Sequence, residues 1–160
     1  MYGRLLVEGR GVSPDPYAAR EWFARAADAG VLDAQVALAE MMVNGRGGPR
    51  SPGSAFELFE KAAKKGHSGA MFALGALHSG GHNFPLDRAI AQRWFRASAE
   101  RGHGHAQLML GRYLIEGVAG KHDLAEGRLW LERAAAQGIS DAEIDLAKLG
   151  SSTAARVGAA

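Results

Sequence analysis

The sequence lacks cysteine and any long apolar run. With no cysteine among 160 residues, a disulfide framework, a thiol nucleophile and a cysteine-ligated metal are all excluded. No stretch approaches the roughly 20 apolar residues that span a bilayer, and the first nine residues lack the long apolar segment of a signal peptide. We therefore expect no membrane insertion and a cytoplasmic location for the chain as written. A periplasmic or secreted location stays open if the natural N-terminus lies upstream.

A strong charge of one sign is also missing. Lysine and arginine number 19 against 17 aspartates and glutamates, which gives a formal net charge of +2. So small an excess does not create the basic field that binds nucleic acid or an anionic membrane. The hydrophobic content of 47% suits a folded chain with a sizeable core.

The sequence repeats itself every 36 residues without a gap. Three columns of this repeat keep one residue type, or nearly so, in all four copies. They are the glycines Gly30, Gly66, Gly102 and Gly138, the alanines Ala34, Ala70, Ala106 and Ala142, and the bulky residues Trp22, Leu58, Trp94 and Trp130. Self-similarity at a fixed period of this length is typical of helical repeats.

One half of the pattern predicts a helix, which we call helix B. In the second copy, apolar residues stand at i, i+3, i+4, i+7 and i+8 from Ala55 to Ala63, the spacing of one helical face. Each helix B ends before the repeating glycine, which adopts the left-handed conformation at little cost. Each follows a residue whose side-chain oxygen suits an N-cap. These residues are Asp15, Ser51, Asp87 and Asp123.

A second helix, helix A, occupies the other half of each unit. It is expected to begin near Ala34, Ala70 or Ala106 and to run for about 11 residues. Asp33 and Asp141 are its predicted caps in two copies. The loops that follow, such as residues 45–50, contain too much glycine and proline to continue a helix.

One helix pair cannot cover its own apolar stripe, so neighbouring pairs must stack on one another. The predicted fold is therefore all-α, an α/α superhelical solenoid of about four 36-residue helix-turn-helix repeats. We place the repeats at roughly 1–33, 34–69, 70–105 and 106–141, followed by a C-terminal capping helix at 142–150. Residues 151–160 have little to bury and are expected to form a flexible tail.

Three segments carry a resemblance to a known family. They are 70–77 (Ala-Met-Phe-Ala-Leu-Gly-Ala-Leu), 87–102 around Trp94-Phe95, and 130–138. These segments resemble the Sel-1-like repeat family, which is related to the tetratricopeptide repeat but has a longer unit than its 34 residues. The resemblance implies a protein-protein interaction scaffold or adaptor that holds a partner protein or peptide in a concave groove lined by the A helices.

The resemblance has departures. Gly127 stands where the family has a helix-B alanine, which is expected to weaken that repeat, and the turn 117–120 is altered. Met1 aligns with Ala37, so the first helix A lacks its opening turn. The sequence therefore leaves open a fragment of a larger periplasmic or membrane-tethered regulatory repeat protein. A hydrolase of the cysteine-rich repeat type is disfavoured by the missing cysteines.

No motif predicts catalysis, a metal or a cofactor. The histidines fall in loops or turn edges of separate repeats, and the column of His67 and His103 also holds Val31 and Ile139, so it requires no ligand. The glycine-rich segment 45–48 is not followed by the Gly-Lys-Ser/Thr of a phosphate-binding loop. Capping explains the recurring aspartates, and core packing explains the tryptophans. We therefore predict a non-enzyme without cofactors.

A partner is expected on one face of helix A. At 100° per residue, Val36, Glu40 and Val43 share a face that lies opposite Leu38. The candidate partner-binding residues on this face are Arg4, Val7 and Glu8 in the first repeat, Val36, Glu40, Val43 and Asn44 in the second, Phe72, Ala76 and Ser79 in the third, and Leu108, Arg112, Ile115 and Glu116 in the fourth.

Two interpretations of this face stay open. In one, Phe72 and Leu108 anchor an extended or helical peptide, while Glu40 and Arg112 select its charge. In the other, the apolar column simply packs between neighbouring repeats. The members of that column are Val36, Phe72, Leu108 and Ile144.

Overall fold

The computed structural model describes residues 15–80 and 84–159, with the side chains of 15–80 and 84–150. Within these residues all regular structure is α-helical, which confirms the predicted all-α class. The helices are α1 (Pro16–Asp28), α2 (Leu32–Asn44), α3 (Pro52–Lys64), α4 (Ser68–His78), α5 (Arg88–Glu100), α6 (Gly104–Glu116), α7 (Leu124–Ala136) and α8 (Ser140–Ala159).

The described helices alternate between the two predicted types. Helices α1, α3, α5 and α7 are the B helices, and α2, α4, α6 and α8 are the A helices. The chain divides into two compact units, which meet in sequence between Leu86 and Asp87. In unit 1, α1 packs on α2, α2 on α3 and α3 on α4, and in unit 2, α5 packs on α6, α6 on α7 and α7 on α8. This consecutive stacking covers much of the apolar stripe of the stacked helices, as the repeat requires.

The predicted B-helix boundaries are confirmed. Asp15, Asp87 and Asp123 each accept a hydrogen bond from a backbone N–H of the first turn, while Ser51 stands at its cap position without such a bond. The glycine column has φ between +87° and +92°, a conformation that side chains disfavour. Glycine is needed in this column because it closes each turn into the next helix.

The predicted caps of the A helices are wrong. These helices begin about two residues earlier than expected, so Asp33 lies in the first turn of α2 and Asp141 in the first turn of α8. The N-caps of α4 and α6 are instead His67 and His103. The Nδ1 atom of each ring accepts a backbone N–H at 3.1 Å, from Ala70 and Ala106 respectively. Histidines that the sequence suggested to be ordinary loop residues therefore cap helices.

His67 also joins two A helices of unit 1. Its Nε2 lies 2.9 Å from Oδ1 of Asp33, and the two residues are 34 positions apart. Because Nδ1 accepts the capping hydrogen bond, Nε2 carries the ring hydrogen and donates it to the Asp33 carboxylate. One side chain thus fixes the start of α4 and ties it to the start of α2.

The C-terminal helix is longer than predicted. It runs from Ser140 to Ala159, whereas the sequence suggested a capping helix over 142–150. Residues 151–159 contain no proline, and their one glycine, Gly158, lies next to the end of the helix, so the segment can continue it. Flexibility of residues 151–160 stays a prediction.

The tightest helix contact of unit 2 depends on two glycines. A Cβ atom added to Gly111 of α6 would lie 2.9 Å from the carbonyl oxygen of Gly127 in α7. One added to Gly127 would lie 2.6 Å from Cγ1 of Ile115 and 3.0 Å from the Gly111 carbonyl oxygen. Gly127 is therefore not a weakness of its repeat, as the sequence suggested, but the complement of Gly111.

We expect Gly127→Ala to destabilise the protein. Alanine favours a helix over glycine by about 1 kcal/mol, but the overpacking costs more, so a net loss of about 1 kcal/mol or more should appear in urea unfolding. Gly53→Ala is the matched control, because a Cβ at Gly53 would meet no atom within 4 Å. A Gly127→Ala protein as stable as the Gly53→Ala protein would contradict the packing argument.

Candidate partner-binding clefts

The predicted helix-A face separates into buried and accessible residues. Val36, Val43 and Leu108 are each less than a tenth exposed. Leu108 packs with Leu131 and Ala142 of the following helices and is only 4% exposed, so the structure does not support it as an anchor for a partner. Helices α7 and α8 close over it, a packing that sequence periodicity cannot distinguish from a groove.

The alternative of packing between repeats fits part of this column. Val36 and Leu108 are buried, whereas Phe72 is half-buried and Ile144 is 52% exposed. Ser79 donates a hydrogen bond from Oγ to the carbonyl oxygen of Ala76, a local bond within α4 and its end. The candidates Arg4, Val7 and Glu8 lie outside the described residues.

In unit 1, most of the described candidate residues line one apolar cleft, which we call the Phe72 cleft. Its volume is about 200 Å³. Five of the candidate residues line it, together with side chains that the sequence did not single out, such as Phe59 of helix α3. The lining residues are Glu40, Val43, Asn44, Phe59, Gly69, Phe72, Ala73, Ala76 and Leu77.

A second cleft of unit 1 adjoins the first through shared residues. It has a volume of about 190 Å³ and we call it the Phe23 cleft. Glu40 and Asn44 line both clefts, so they stand between two apolar surfaces. The residues of the Phe23 cleft are Phe23, Ala37, Glu40, Met41, Asn44 and Arg46.

Glu40 is the charged group that the two clefts share, and Arg46 lines only the Phe23 cleft. Burial raises the pKa of Glu40 above its ordinary value of 4.5, and the nearby His67 opposes this shift only in part. In the described part of the chain, no side chain donates a hydrogen bond to the Glu40 carboxylate. A partly desolvated carboxylate without a donor is the kind of group that a basic side chain stabilises.

In unit 2, three candidates line a cleft of about 340 Å³, which we call the Ile115 cleft. Arg112 lines this cleft, but its guanidinium is paired with Asp145. Nε donates to Oδ2 of Asp145 at 2.6 Å, and Nη2 donates to Oδ1 at 3.3 Å. This pairing raises the pKa of Arg112 and fixes its guanidinium. The lining residues are Arg112, Ile115, Glu116, Leu131, Asp145, Lys148 and Leu149.

The Arg112–Asp145 pair changes the predicted role of Arg112. Two basic and two acidic side chains line the Ile115 cleft, so their formal charges cancel. Arg112 is already paired, whereas Glu116 and Lys148 are the other two charged side chains that line the cleft. Asp145 and Lys148 escaped the sequence analysis because they lie on α8, one repeat after the helix that carries Arg112.

Two further kinds of site were sought among the described residues, a metal site and a membrane-spanning helix. No group of three or more histidine, aspartate or glutamate side chains in these ranges is placed to hold a metal ion. None of the described helices combines the length and the apolar character needed to cross a membrane.

Comparison with known proteins assigns the repeat. The family model described as Sel1 repeat matches four consecutive segments, and each segment ends two residues before the predicted repeat. The matched residues are 1–31, 32–67, 68–103 and 104–139. No curated protein matches the sequence.

Solved structures of the same fold are similar to this chain. A Sel1 repeat protein from Oxalobacter formigenes is 29% identical, with a TM-score of 0.84 over 92% of this chain and 60% of that one. The protective antigen c5321 of uropathogenic Escherichia coli is 30% identical, with a TM-score of 0.79 over 90% of this chain. This chain spans only 31% of the antigen's length. A Sel1 repeat protein from Klebsiella pneumoniae, 21% identical with a TM-score of 0.60 over 93% of this chain and 74% of its own, shares the fold.

We expect Glu40→Gln to stabilise the protein at pH 7. The folded state raises the pKa of Glu40, so ionised Glu40 opposes folding once the pH exceeds that pKa. The gain should stay below about 1 kcal/mol because the side chain is partly solvated. It should vanish below about pH 4.5, where the glutamate of the unfolded chain is protonated too.

Urea unfolding at pH 7 and at pH 4 measures this effect. Glu57→Gln, on an exposed position of α3, controls for the removal of one negative charge. Equal gains for the two variants, or an undiminished gain at pH 4, would show that the environment of Glu40 is not responsible.

Proposed function

Since the chain belongs to the Sel1 repeat family, we propose that it is an interaction scaffold that binds a partner peptide or protein on the accessible face of its A helices. The Sel1 repeat fold is generally a protein-protein interaction scaffold and is typically not catalytic. The observation that carries the proposal is the Phe72 cleft, an apolar site on the predicted face with the Glu40 carboxylate at its edge.

The Phe72 cleft favours one large apolar side chain of a partner. Phe59, Phe72 and Leu77 supply apolar walls, and Ala73 and Ala76 are small enough to leave room between them. Removing a leucine-sized side chain from water contributes about 1.5–3 kcal/mol, which is enough for an anchor although not for a complete binding site.

Glu40 favours a basic residue beside that anchor. Its carboxylate is partly desolvated, so the charge-assisted hydrogen bonds of a partner's lysine or arginine would offset that desolvation. Asn44, one helical turn further along α2, offers an amide that both donates and accepts. We therefore propose a partner segment with an apolar side chain followed or preceded by a basic one.

In unit 2, we propose that the Ile115 cleft is a separate contact for a partner. Ile115 and Leu149 replace Leu108 as apolar contacts, since Leu108 is covered by its own unit. Arg112 would organise this cleft through Asp145, and Lys148 and Glu116 would contact polar groups of the partner. The compartment, and membership in a larger regulatory repeat protein, stay predictions.

Peptide selection with the complete chain tests the proposal. Peptides selected from a random phage-displayed library should combine an aromatic or aliphatic residue with lysine or arginine. Ala76→Arg should weaken their binding by about tenfold or more, because the new side chain fills the Phe72 cleft and adds a positive charge. Glu40→Gln should weaken basic peptides more than it weakens their neutral analogues.

Ala125→Arg is the matched control, because Ala125 is exposed on α7 and lines none of the three clefts described above. Affinities should be measured by fluorescence polarisation after circular dichroism has verified the helical content of each variant. Selected peptides that bind Ala76→Arg as well as they bind Ala125→Arg would refute the Phe72 cleft as the binding site.

A further inference from the structure

A larger cleft of unit 1 lies among residues that the helix-A analysis did not select. Its volume is about 520 Å³, and we call it the Leu58 cleft. It shares no lining residue with the Phe72 and Phe23 clefts. Its lining residues come from helices α1, α2 and α3 and the turns that follow α1 and α3. They are Ala27, Asp28, Gly30, Gln35, Leu38, Leu58, Lys61, Lys64 and Lys65.

Unit 2 contains the same nine positions 72 residues later, which gives an internal comparison. Four of them keep their residue type, namely alanine, glycine, glutamine and leucine, and the others change. The equivalent residues are Ala99, Glu100, Gly102, Gln107, Leu110, Trp130, Arg133, Ala136 and Gln137. The differences therefore concentrate where Leu58 replaces a tryptophan and where three lysines replace an arginine, an alanine and a glutamine.

In unit 2, the side chains at these positions contact one another. Trp130 is 7% exposed, and the guanidinium of Arg133 lies 4.6 Å from the centre of its ring. Nε2 of Gln137 donates to Oε1 of Gln107 and to the carbonyl oxygen of Gly102, each at 2.9 Å. In unit 2 the protein therefore supplies its own aromatic ring, a cation on that ring and an amide donor for Gln107.

Unit 1 has neither the amide donor of Gln137 nor the ring of Trp130, because Lys65 and Leu58 stand at those positions. Gln35, which corresponds to Gln107, is 6% exposed, and its Nε2 donates to Ala27. Its Oε1 is buried and accepts no hydrogen bond from the described residues, whereas Oε1 of Gln107 accepts one. Leu58 is smaller than tryptophan and leaves space beside Leu38. A buried acceptor without a donor costs about 1–3 kcal/mol, so a donor that entered beside Lys65 would recover that cost.

The charges around the Leu58 cleft favour an anionic ligand. Lys61, Lys64 and Lys65 line it against the single carboxylate of Asp28. Lys64 contacts Glu60 at 3.7 Å, an exposed pair of small energetic value. Lys61 and Lys65 form no ion pair with the described residues, so their ammonium groups are open to a carboxylate.

We propose that the Leu58 cleft is a second binding site, which takes an acidic peptide segment of a partner protein. A bulky apolar side chain of the segment lies against Leu38 and Leu58, where unit 2 places its own tryptophan. A neighbouring carboxylate binds between Lys61 and Lys65, and a backbone N–H reaches Oε1 of Gln35. This site has the opposite charge preference to the Phe72 cleft, and it does not depend on the function proposed there.

Titration with two short peptides tests this site. The probes are acetyl-Glu-Trp-Glu-amide and its uncharged analogue acetyl-Gln-Trp-Gln-amide, and ¹H–¹⁵N NMR spectra of the complete chain report binding. We expect the acidic peptide to bind at least about tenfold more tightly and to shift the side-chain amide signals of Gln35. Equal affinity for the two peptides, or shifts confined to other residues, would overturn the proposal.

Two double variants and two controls sharpen the test. Lys61→Gln with Lys65→Gln removes the cations, and Leu58→Trp with Lys65→Gln rebuilds the filled arrangement of unit 2. Each should reduce affinity for the acidic peptide by about tenfold, and the second should also unfold at higher urea concentration because it satisfies Gln35. Lys121→Gln, which removes an exposed lysine of unit 2, should change affinity less than about twofold.

Ala76→Arg separates this proposal from the function proposed for the Phe72 cleft. It should leave binding of the acidic peptide unchanged. Three results would refute the Leu58 cleft as the site. They are loss of acidic-peptide binding in Ala76→Arg, unchanged affinity in both double variants, or a loss in Lys121→Gln as large as that in the double variants.

Discussion

The structure depends on one constraint: a pair of short amphipathic helices cannot remove its own apolar stripe from water, so the next pair must cover it. This requirement fixes small residues where helices cross, such as Gly111 against Gly127. It also buries the predicted anchor Leu108, because α7 and α8 must lie on that side of α6. Within unit 2, the helices that follow α6 therefore decide which residues of its predicted face stay accessible.

The sequence predicts the features that are determined within a single helix and its ends. The apolar stripe, the aspartate caps and the left-handed glycines are local, and the fold and its repeat follow from them. The sequence could not predict pairs that join neighbouring repeats. His67 with Asp33 and Arg112 with Asp145 are 34 and 33 positions apart, so their contact depends on how two A helices stack. Without that geometry, Arg112 could be read as a free groove charge.

The exact 36-residue register makes each unit a reference for the other. Gln35 and Gln107 occupy one position, and each donates through Nε2 to the alanine carbonyl eight residues earlier. They differ only in the acceptor oxygen, which Gln137 satisfies in unit 2 and nothing described satisfies in unit 1. Both glutamines occupy the same position of the same repeat fold. The fold alone therefore does not explain why only one acceptor oxygen is satisfied.

Variation between the repeats therefore has a physical meaning that the conserved columns lack. A conserved column, such as the glycine that ends each helix B, reports what folding requires and is silent about partners. Among the described residues, Glu40 lies between two clefts without a hydrogen-bond donor. Lys61 and Lys65 replace an arginine that stacks on Trp130 and a glutamine that donates to Gln107. Each of these exchanges gives up an internal contact. A scaffold can bear that loss only where the rest of the repeat still satisfies the stacking constraint, and we propose that binding a partner is the gain that offsets it.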